Sequence, residues 1–172
     1  MQRMDYEHAK LRLAIGAVLL AYMLIAHGHA GIALWLVAAY VPLAAVSVAV
    51  MRVLRQPCPL CRVAWIVVDN TAISYFMFVV GEGGTVALGL FLMVTIGNGF
   101  RYGRTYLFLS HAAGLIGMST VIVISPFWSQ HVAIGVGLWL TMVLVPIYVG
   151  SLYEAMRRRV TTTATDLPTT TP

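Results

Sequence analysis

Charged residues are scarce in this sequence, and so are the motifs that mark most enzymes. Only 10% of the 172 residues are charged, whereas 60% are hydrophobic and the mean hydropathy is +0.86. A soluble domain carries about 25% charged residues, so this composition excludes one. The sequence has no phosphate-binding loop, nucleophile elbow, HExxH zinc motif or kinase signature. We therefore expect no enzymatic activity and no cofactor.

The eleven Lys and Arg residues form clusters that are separated by apolar stretches. They are Arg3, Lys10, Arg12, Arg52, Arg55, Arg62, Arg101, Arg104, Arg157, Arg158 and Arg159. The intervening turns at 27–31, 81–84 and 125–131 contain no Lys or Arg. Because cytoplasmic loops retain basic residues and translocated loops do not, this alternation predicts that both termini are cytoplasmic. Separated clusters indicate anchors beside membrane lipid and argue against nucleic acid as a partner.

The apolar stretches predict helices that cross a membrane. They cover residues 13–26, 32–51, 63–80, 86–96, 107–124 and 132–150. A crossing needs about 20 residues, and the fourth stretch approaches that length only by borrowing residues 97–100. If it did not cross, Arg101 and Arg104 would lie on the outer side. We therefore predict an all-α, polytopic membrane helical bundle with six transmembrane helices, and five as the alternative.

The bundle uses nearly the whole chain, so we assign residues 1–160 to one transmembrane domain of the sensory type, for reasons given below. From Thr161 the sequence reads TTTATDLPTTTP, which has too few apolar residues to form a core. We expect residues 161–172 to be a disordered, Thr-rich cytoplasmic tail with no soluble domain after it.

Asp69 is the first candidate for a functional site, because it is a charged side chain inside a predicted span. A carboxylate in hydrocarbon costs a few kcal/mol or more, so Asp69 should face the bundle interior and have a partner. Asp69 and His111 each lie seven residues after a basic cluster, which places both about 10 Å into the membrane. The two can pair if their helices touch. For Asp69 and the adjacent Asn70, the alternatives are hydrogen bonding between helices and a role in ligand sensing or proton movement.

Residues 97–106, GNGFRYGRTY, form the second candidate site. The residues of interest there are Asn98, Arg101, Tyr102, Arg104 and Tyr106. Gly and Asn accept the left-handed conformation that ends helices, so we expect a helix stop within this run. Backbone N–H groups, two guanidinium groups and aromatic walls could then cradle an anion. The alternative is a helix end with basic anchors and an aromatic belt.

The only two cysteines, Cys58 and Cys61, lie between the second and third predicted spans. The surrounding arginines place them on the cytoplasmic side, where thiols stay reduced. No nearby pair of His or Cys completes a zinc site, so we expect no metal. We interpret the pair as small residues in a turn bounded by proline, with a thiol-redox enzyme as the alternative.

Three blocks of the second half are distinctive: VTIGNGFRYGRTYL at 94–107, ISPFW at 124–128 and VPIYVGSLYEAMRRR at 145–159. They resemble the sensory input domain of the diffusible-signal-factor sensor kinases, the RpfC-type hybrid histidine kinases. Asp69 falls where such domains carry an Asp in the third span. The resemblance covers roughly residues 69–159 and is weak before them. It implies perception of a cis-2-unsaturated fatty acid signal.

In those kinases the last span continues through a cytoplasmic helix into a phospho-accepting His region, an ATPase domain and receiver modules. Here SLYEAMRRR resembles the start of that helix, but the Thr-rich tail follows Arg159. We therefore expect a free-standing, kinase-less version of the domain, similar to proteins of the RpfH type.

The function we expect is that of a non-catalytic sensory protein of the inner membrane in quorum-sensing signalling. It would perceive the fatty acid, with the carboxylate near Asn98, Arg101 and Arg104, or modulate the related sensor kinase. Its partner would be that full-length kinase or, in a homo-oligomer, another copy of itself. The alternatives are a small proton-coupled transporter with Asp69 as a relay, and a structural subunit of a membrane complex.

Overall fold

The computed structural model describes residues 2–26, 31–53 and 59–165, and all the regular structure in these ranges is helical. The helices are α1 (Gln2–Ala26), α2 (Ile32–Val53), α3 (Pro59–Val80), α4 (Ala87–Tyr102), α5 (Arg104–Ile124), α6 (Pro126–Gln130) and α7 (Val132–Thr165). The predicted all-α class is confirmed. Cys58 and residues 166–172 lie outside the described ranges.

Three stretches of the described chain are long and apolar enough to cross a membrane. They are Pro59–Tyr102, Arg104–Ile124 and Val132–Met156, with a shorter apolar helix at Val37–Ala49. The first stretch contains both α3 and α4. This pattern is compatible with a membrane protein, whereas the count of six spans and the cytoplasmic termini stay predictions.

The chain reverses between α3 and α4 through a short 3₁₀ helix, Gly81–Val86. Gly81 has φ +63°, a conformation that side chains with a Cβ rarely adopt. Gly84 packs so closely that an added Cβ would lie 2.9 Å from the Cα of Met77. Trp128 of α6 is fully buried at this turn and donates a hydrogen bond from Nε1 to the Met77 carbonyl, at 3.1 Å. Glycine and tryptophan together therefore close this end of the bundle.

The helix stop expected within residues 97–106 is confirmed, although α4 continues through Gly97–Gly99 and ends only at Tyr102. The break comes at Gly103, which has φ +93° and donates its N–H to the Gly99 carbonyl at 2.9 Å. Gly99 allows close packing, since a Cβ there would lie 2.9 Å from the Cβ of Leu107. Close approach of α4 and α5 therefore outweighs the tendency of glycine to end a helix.

Helix α7 is 34 residues long and continues to Thr165. The first residues of the Thr-rich segment, from Thr161, are therefore helical in the structure, where we expected irregular chain. A helix that is already formed can add residues without a new nucleation step, and this favours such an extension.

The core and the exterior of the bundle are both apolar. Large side chains fill the centre, and Phe91, Met118 and Met142 are fully buried. On the outside, Trp35 is 74% exposed and Leu144 is 62% exposed. A soluble monomer rarely exposes apolar patches of this extent, so the exterior suits contact with lipid.

The two glycines of α4 allow a test of the close packing at Gly99. Gly99→Ala should destabilise the protein by about 1–3 kcal/mol, because the added methyl group overpacks against Leu107. Gly97→Ala is the matched control, since nothing lies within 4 Å of a Cβ at that position. It should be neutral or stabilise by up to about 1 kcal/mol through helix propensity. Thermal unfolding in detergent, followed by circular dichroism, measures both, and equal effects would contradict the packing role.

Candidate functional site

A buried ion pair joins α1 to α3. Arg12 Nε donates to Asp69 Oδ2 at 2.7 Å, and the two residues are 8% and 2% exposed. Tyr40 of α2 donates its hydroxyl to the other carboxylate oxygen, Oδ1, at 2.8 Å. One carboxylate on α3 therefore binds donors from two different helices. We call Arg12, Tyr40 and Asp69 the buried triad.

Trp65 holds the guanidinium of the triad from a second direction. The Arg12 guanidinium carbon lies 4.8 Å from the centre of the Trp65 ring, which is cation–π geometry. Trp65 is one turn before Asp69 on α3, so the two side chains can reach the same guanidinium. The position of Arg12 is therefore set by an aromatic face as well as by its anion.

The prediction that Asp69 faces inward and has a partner is confirmed, but the suggested partner is wrong. Helices α3 and α5 do touch, yet Asp69 bonds Arg12 and Tyr40 rather than His111. His111 is buried, and its Nδ1 has no hydrogen-bond partner among the described residues. Since a guanidinium keeps its charge when buried and a neutral imidazole carries none, Arg12 is the stronger partner for a buried carboxylate.

The triad forms part of the wall of a cavity of about 380 Å³ between α1, α2, α3 and α4. Arg12, Asp69 and Arg101 contribute its charged groups, Tyr40, Thr71 and Tyr75 are hydroxyl residues of the lining, and most of the wall is apolar. Apolar lining residues include Leu19, Val37, Ile73, Phe76 and Leu90. Pockets for small ligands have this character, with a mainly apolar wall, a few polar groups and about 300–1,000 Å³.

The charged groups are gathered at one end of the cavity. Along α3 the wall runs from Asp69 to Phe76, and along α4, which returns in the opposite direction, it runs from Arg101 back to Leu90. At 1.5 Å per residue, these distances correspond to roughly 10 Å and 16 Å. The cavity is thus an elongated apolar slot with charged groups at the end where α3 begins and α4 finishes. The charges that line it are two guanidinium groups and one carboxylate.

Asn70 points away from the triad, towards α5. Its Nδ2 donates to the Ile66 carbonyl at 2.8 Å, while its buried Oδ1 has no hydrogen-bond partner within the described chain. The close approach of α5 requires Gly114, because a Cβ there would lie 2.9 Å from that oxygen. Asn70 therefore belongs to the contact between α3 and α5.

The predicted anion cradle at residues 97–106 does not form, because α4, which ends at Tyr102, and α5, which begins at Arg104, send its side chains in different directions. Asn98 is buried and donates from Nδ2 to Ser110 Oγ of α5 at 3.3 Å. Arg101 lines the cavity, whereas Arg104 pairs with Glu154 of α7 on the exposed surface. The backbone N–H groups that were to bind the anion are inside α4 instead.

Tyr102 and Tyr106 are also placed away from the cavity. Their rings pack edge to face, with centroids 5.5 Å apart. The guanidinium carbon of the buried Arg62 lies 4.5 Å from the centre of the Tyr102 ring. These aromatic residues therefore link α3 to the corner between α4 and α5.

The same corner contacts the last helix. Phe100 packs edge-on against Tyr153, with ring centroids 5.8 Å apart, and Arg104 binds Glu154. Gly97 and Arg101 face the cavity from the same end of α4. The short segment at residues 97–101 therefore contacts the cavity on one side and α7 on the other.

Cys61 is disulfide-bonded in this structure, in contrast to the reduced thiol that a cytoplasmic position predicts. Within the described part of the chain, no group of three or more His, Cys, Asp or Glu side chains is placed to hold a metal ion.

Sequence reasoning missed two members of the triad, Arg12 and Tyr40. Arg12 was interpreted as an anchor at the membrane surface, although the first span reaches a sufficient length only when it begins at Leu11 and so includes Arg12. The sequence did contain a signal for this pair, because one span includes a basic residue and another includes an acidic residue. Tyr40 carried no signal of its own, because interfacial and buried tyrosines look alike in sequence.

The fold and the site define a class: a helical bundle of membrane type with a ligand-sized cavity and a buried ion pair in its wall. No protein-family model and no solved structure matches the sequence. It is 33% identical over 165 residues, 92% of this chain, to the sensory/regulatory protein RpfC in two strains of Xanthomonas campestris pv. campestris. The chain spans only 23% of the length of these curated relatives.

The chain is therefore related to a region of RpfC. The match covers 92% of the chain and so includes much of the first half, where the resemblance was expected to be weak. That the protein is a kinase-less relative of the RpfH type stays a prediction.

Removing one member of the ion pair should be far more harmful than removing both. Asp69→Leu or Arg12→Met alone should destabilise the protein by about 3–5 kcal/mol, because each leaves an uncompensated buried charge. The double variant should recover much of this loss. Unfolding in detergent, analysed as a double-mutant cycle, measures the effect.

The exposed pair of Arg104 and Glu154 is the matched control for that cycle. Its side chains are 66% and 37% exposed, so Arg104→Gln should cost no more than about 1 kcal/mol. Additive losses for Asp69→Leu and Arg12→Met would show that the two residues do not interact.

Proposed function

We propose that this protein is a non-catalytic sensory protein of the inner membrane that perceives a cis-2-unsaturated fatty acid in a quorum-sensing pathway. The similarity to a sensory/regulatory protein supports the signalling role. The observation that carries the choice of ligand is the elongated apolar cavity with two guanidinium groups and a carboxylate at one end. A fatty acid has the matching chemistry, with an apolar chain and one anionic end.

In this proposal the acyl chain enters the cavity from the bilayer. Leu43, Tyr75 and Met93 line the cavity and are exposed. The wall therefore opens sideways at these residues. A fatty acid dissolved in lipid reaches the cavity there without crossing water, and its carboxylate binds at Arg12 and Arg101. Asn98 and Arg104, which we first expected to bind the carboxylate, are directed elsewhere and take no part in binding.

In this proposal the signal of ligand binding passes from the cavity through α4 to α7. Arg101 and Gly97 face the cavity, and the next residues on α4 and α5 contact Tyr153 and Glu154 of α7. A change in the position of α4 on ligand binding is therefore transmitted to the last helix. The receiving partner in this proposal is the related full-length sensor kinase, or a second copy of this chain, through pairing of helices within the membrane.

The first test is ligand binding to the purified protein in nanodiscs. We expect cis-2-dodecenoic acid to bind in a saturable manner and more tightly than its trans isomer or dodecanoic acid, because the bend of the cis bond alters the path of the chain next to the carboxylate. Equal and unsaturable partitioning of all three acids would contradict the proposed function.

Filling the cavity should abolish this binding. Gly97 lines the cavity with nothing within 4 Å of a Cβ position, so Gly97→Leu can occupy the space that the acyl chain needs. We expect at least about a tenfold loss of affinity, which corresponds to about 1.4 kcal/mol. Gly89→Leu is the matched control on the same helix, because Gly89 has equally open surroundings and does not line the cavity. Equal affinity of the two variants would mean that the ligand binds elsewhere.

A further inference from the structure

We propose that Asp69 is an internal competitor for the ligand: a fatty-acid carboxylate binds Arg12 by replacing the Asp69 carboxylate. The Arg12–Asp69 ion pair is then the switch of the sensor. This inference rests on the proposed function and identifies how the same site is regulated.

The geometry of the pair makes Asp69 a replaceable partner. Its carboxylate is shared, with Oδ2 on Arg12 Nε and Oδ1 on the Tyr40 hydroxyl. The contact with Arg12 thus uses one N–H of the guanidinium. A guanidinium binds a carboxylate most strongly through two parallel N–H···O bonds, and a ligand carboxylate is free to adopt that arrangement.

The guanidinium can change partner without leaving its place. Trp65 lies beneath it at 4.8 Å and belongs to the same helix as Asp69. This stacking persists whichever carboxylate is bound. Both members of the pair also line the cavity, so the incoming acid meets them without any opening of the core.

The exchange conserves charge. A neutral fatty acid is the form that dissolves in hydrocarbon, because an isolated charge there is costly. On exchange, the O–H bond of the ligand breaks and its proton moves to the Asp69 carboxylate. Arg12 gains the ligand anion, and Asp69 becomes a neutral carboxylic acid next to Tyr40. One buried ion pair is present before and after, so no uncompensated charge is created.

The exchange also releases a connection between helices. Helix α1 packs against α2, and Arg12 of α1 forms an ion pair with Asp69 of α3. When Arg12 binds the ligand instead, this ion pair no longer holds α1 to α3, whereas Tyr40 of α2 stays beside Asp69. Ligand binding is therefore coupled to the position of α1 relative to α3 and α4.

The test compares the affinity of the full chain in nanodiscs for cis-2-dodecenoic acid and for its methyl ester. Asp69→Asn removes the competing anion and should bind the acid about tenfold more tightly than the unchanged protein, while affinity for the ester stays the same. Arg12→Gln should lose most of the preference of the unchanged protein for the acid over the ester, and the remainder is due to Arg101. Glu154→Gln, which removes a carboxylate at the exposed pair, is the matched control and should leave both affinities unchanged.

Tyr40→Phe provides a second variant that keeps the ion pair, in case Asp69→Asn does not fold. Loss of the Tyr40 hydroxyl weakens the hold on ionised Asp69, so the acid should bind a few times more tightly. If Tyr40 merely contacted the ligand, the same change would weaken binding. The opposite signs separate the two roles.

A distance measurement completes the test. Spin labels on unnatural amino acids at Ala17 of α1 and Val67 of α3, both exposed, report the separation of the helices and leave the cysteines intact. The acid should change this distance in the unchanged protein, and Asp69→Asn should have the changed distance without ligand. If the acid binds normally to the unchanged protein and neither Asp69→Asn nor Tyr40→Phe increases the affinity, the exchange is overturned and the proposed function still stands. Absence of binding in every variant overturns both.

Discussion

The buried ion pair between Arg12 and Asp69 constrains the arrangement of the first three helices. A charge of either sign inside an apolar bundle is tolerated only next to its counter-ion, so α1 must place Arg12 within reach of α3. Tyr40 adds the same requirement for α2, because its hydroxyl completes the hydrogen bonding of the carboxylate. Hydrophobic packing alone would allow these helices to slide or rotate against one another in lipid, whereas the triad selects one register.

The cavity lies beside the triad, where the apolar side chains of the first four helices do not fill the space between them. The first four helices converge on the triad at one end, and their apolar side chains leave a slot of about 380 Å³ beyond it. On the other side of α3 and α4, Gly99 and Gly114 allow close contacts with α5. The molecule thus combines a ligand-sized cavity among the first four helices with close glycine contacts to α5, the helix that precedes α6 and α7.

Much of the architecture followed from composition and periodicity, and much of the candidate site did not. The helical class and the inward position of Asp69 are physical necessities in an apolar chain, and both were predicted. The helix stop within residues 97–106 was predicted, but the anion cradle was not formed. Helix geometry separates the cradle residues: Asn98 faces Ser110, Arg101 the cavity and Arg104 the last helix.

The sequence by itself determined that the chain is an apolar helical bundle, that a carboxylate in it needs a partner, and that it resembles a sensory domain. These conclusions rest on transfer free energies and motif spacing, which depend on residue identity and local order. Which cation pairs with Asp69 was decided only by the tertiary structure, and so was the cavity next to it. Arg12 and Asp69 are 57 residues apart, and their contact depends on how α1, α2 and α3 rotate against one another. That rotation depends on side chains from all three helices at once, so no single stretch of sequence encodes it.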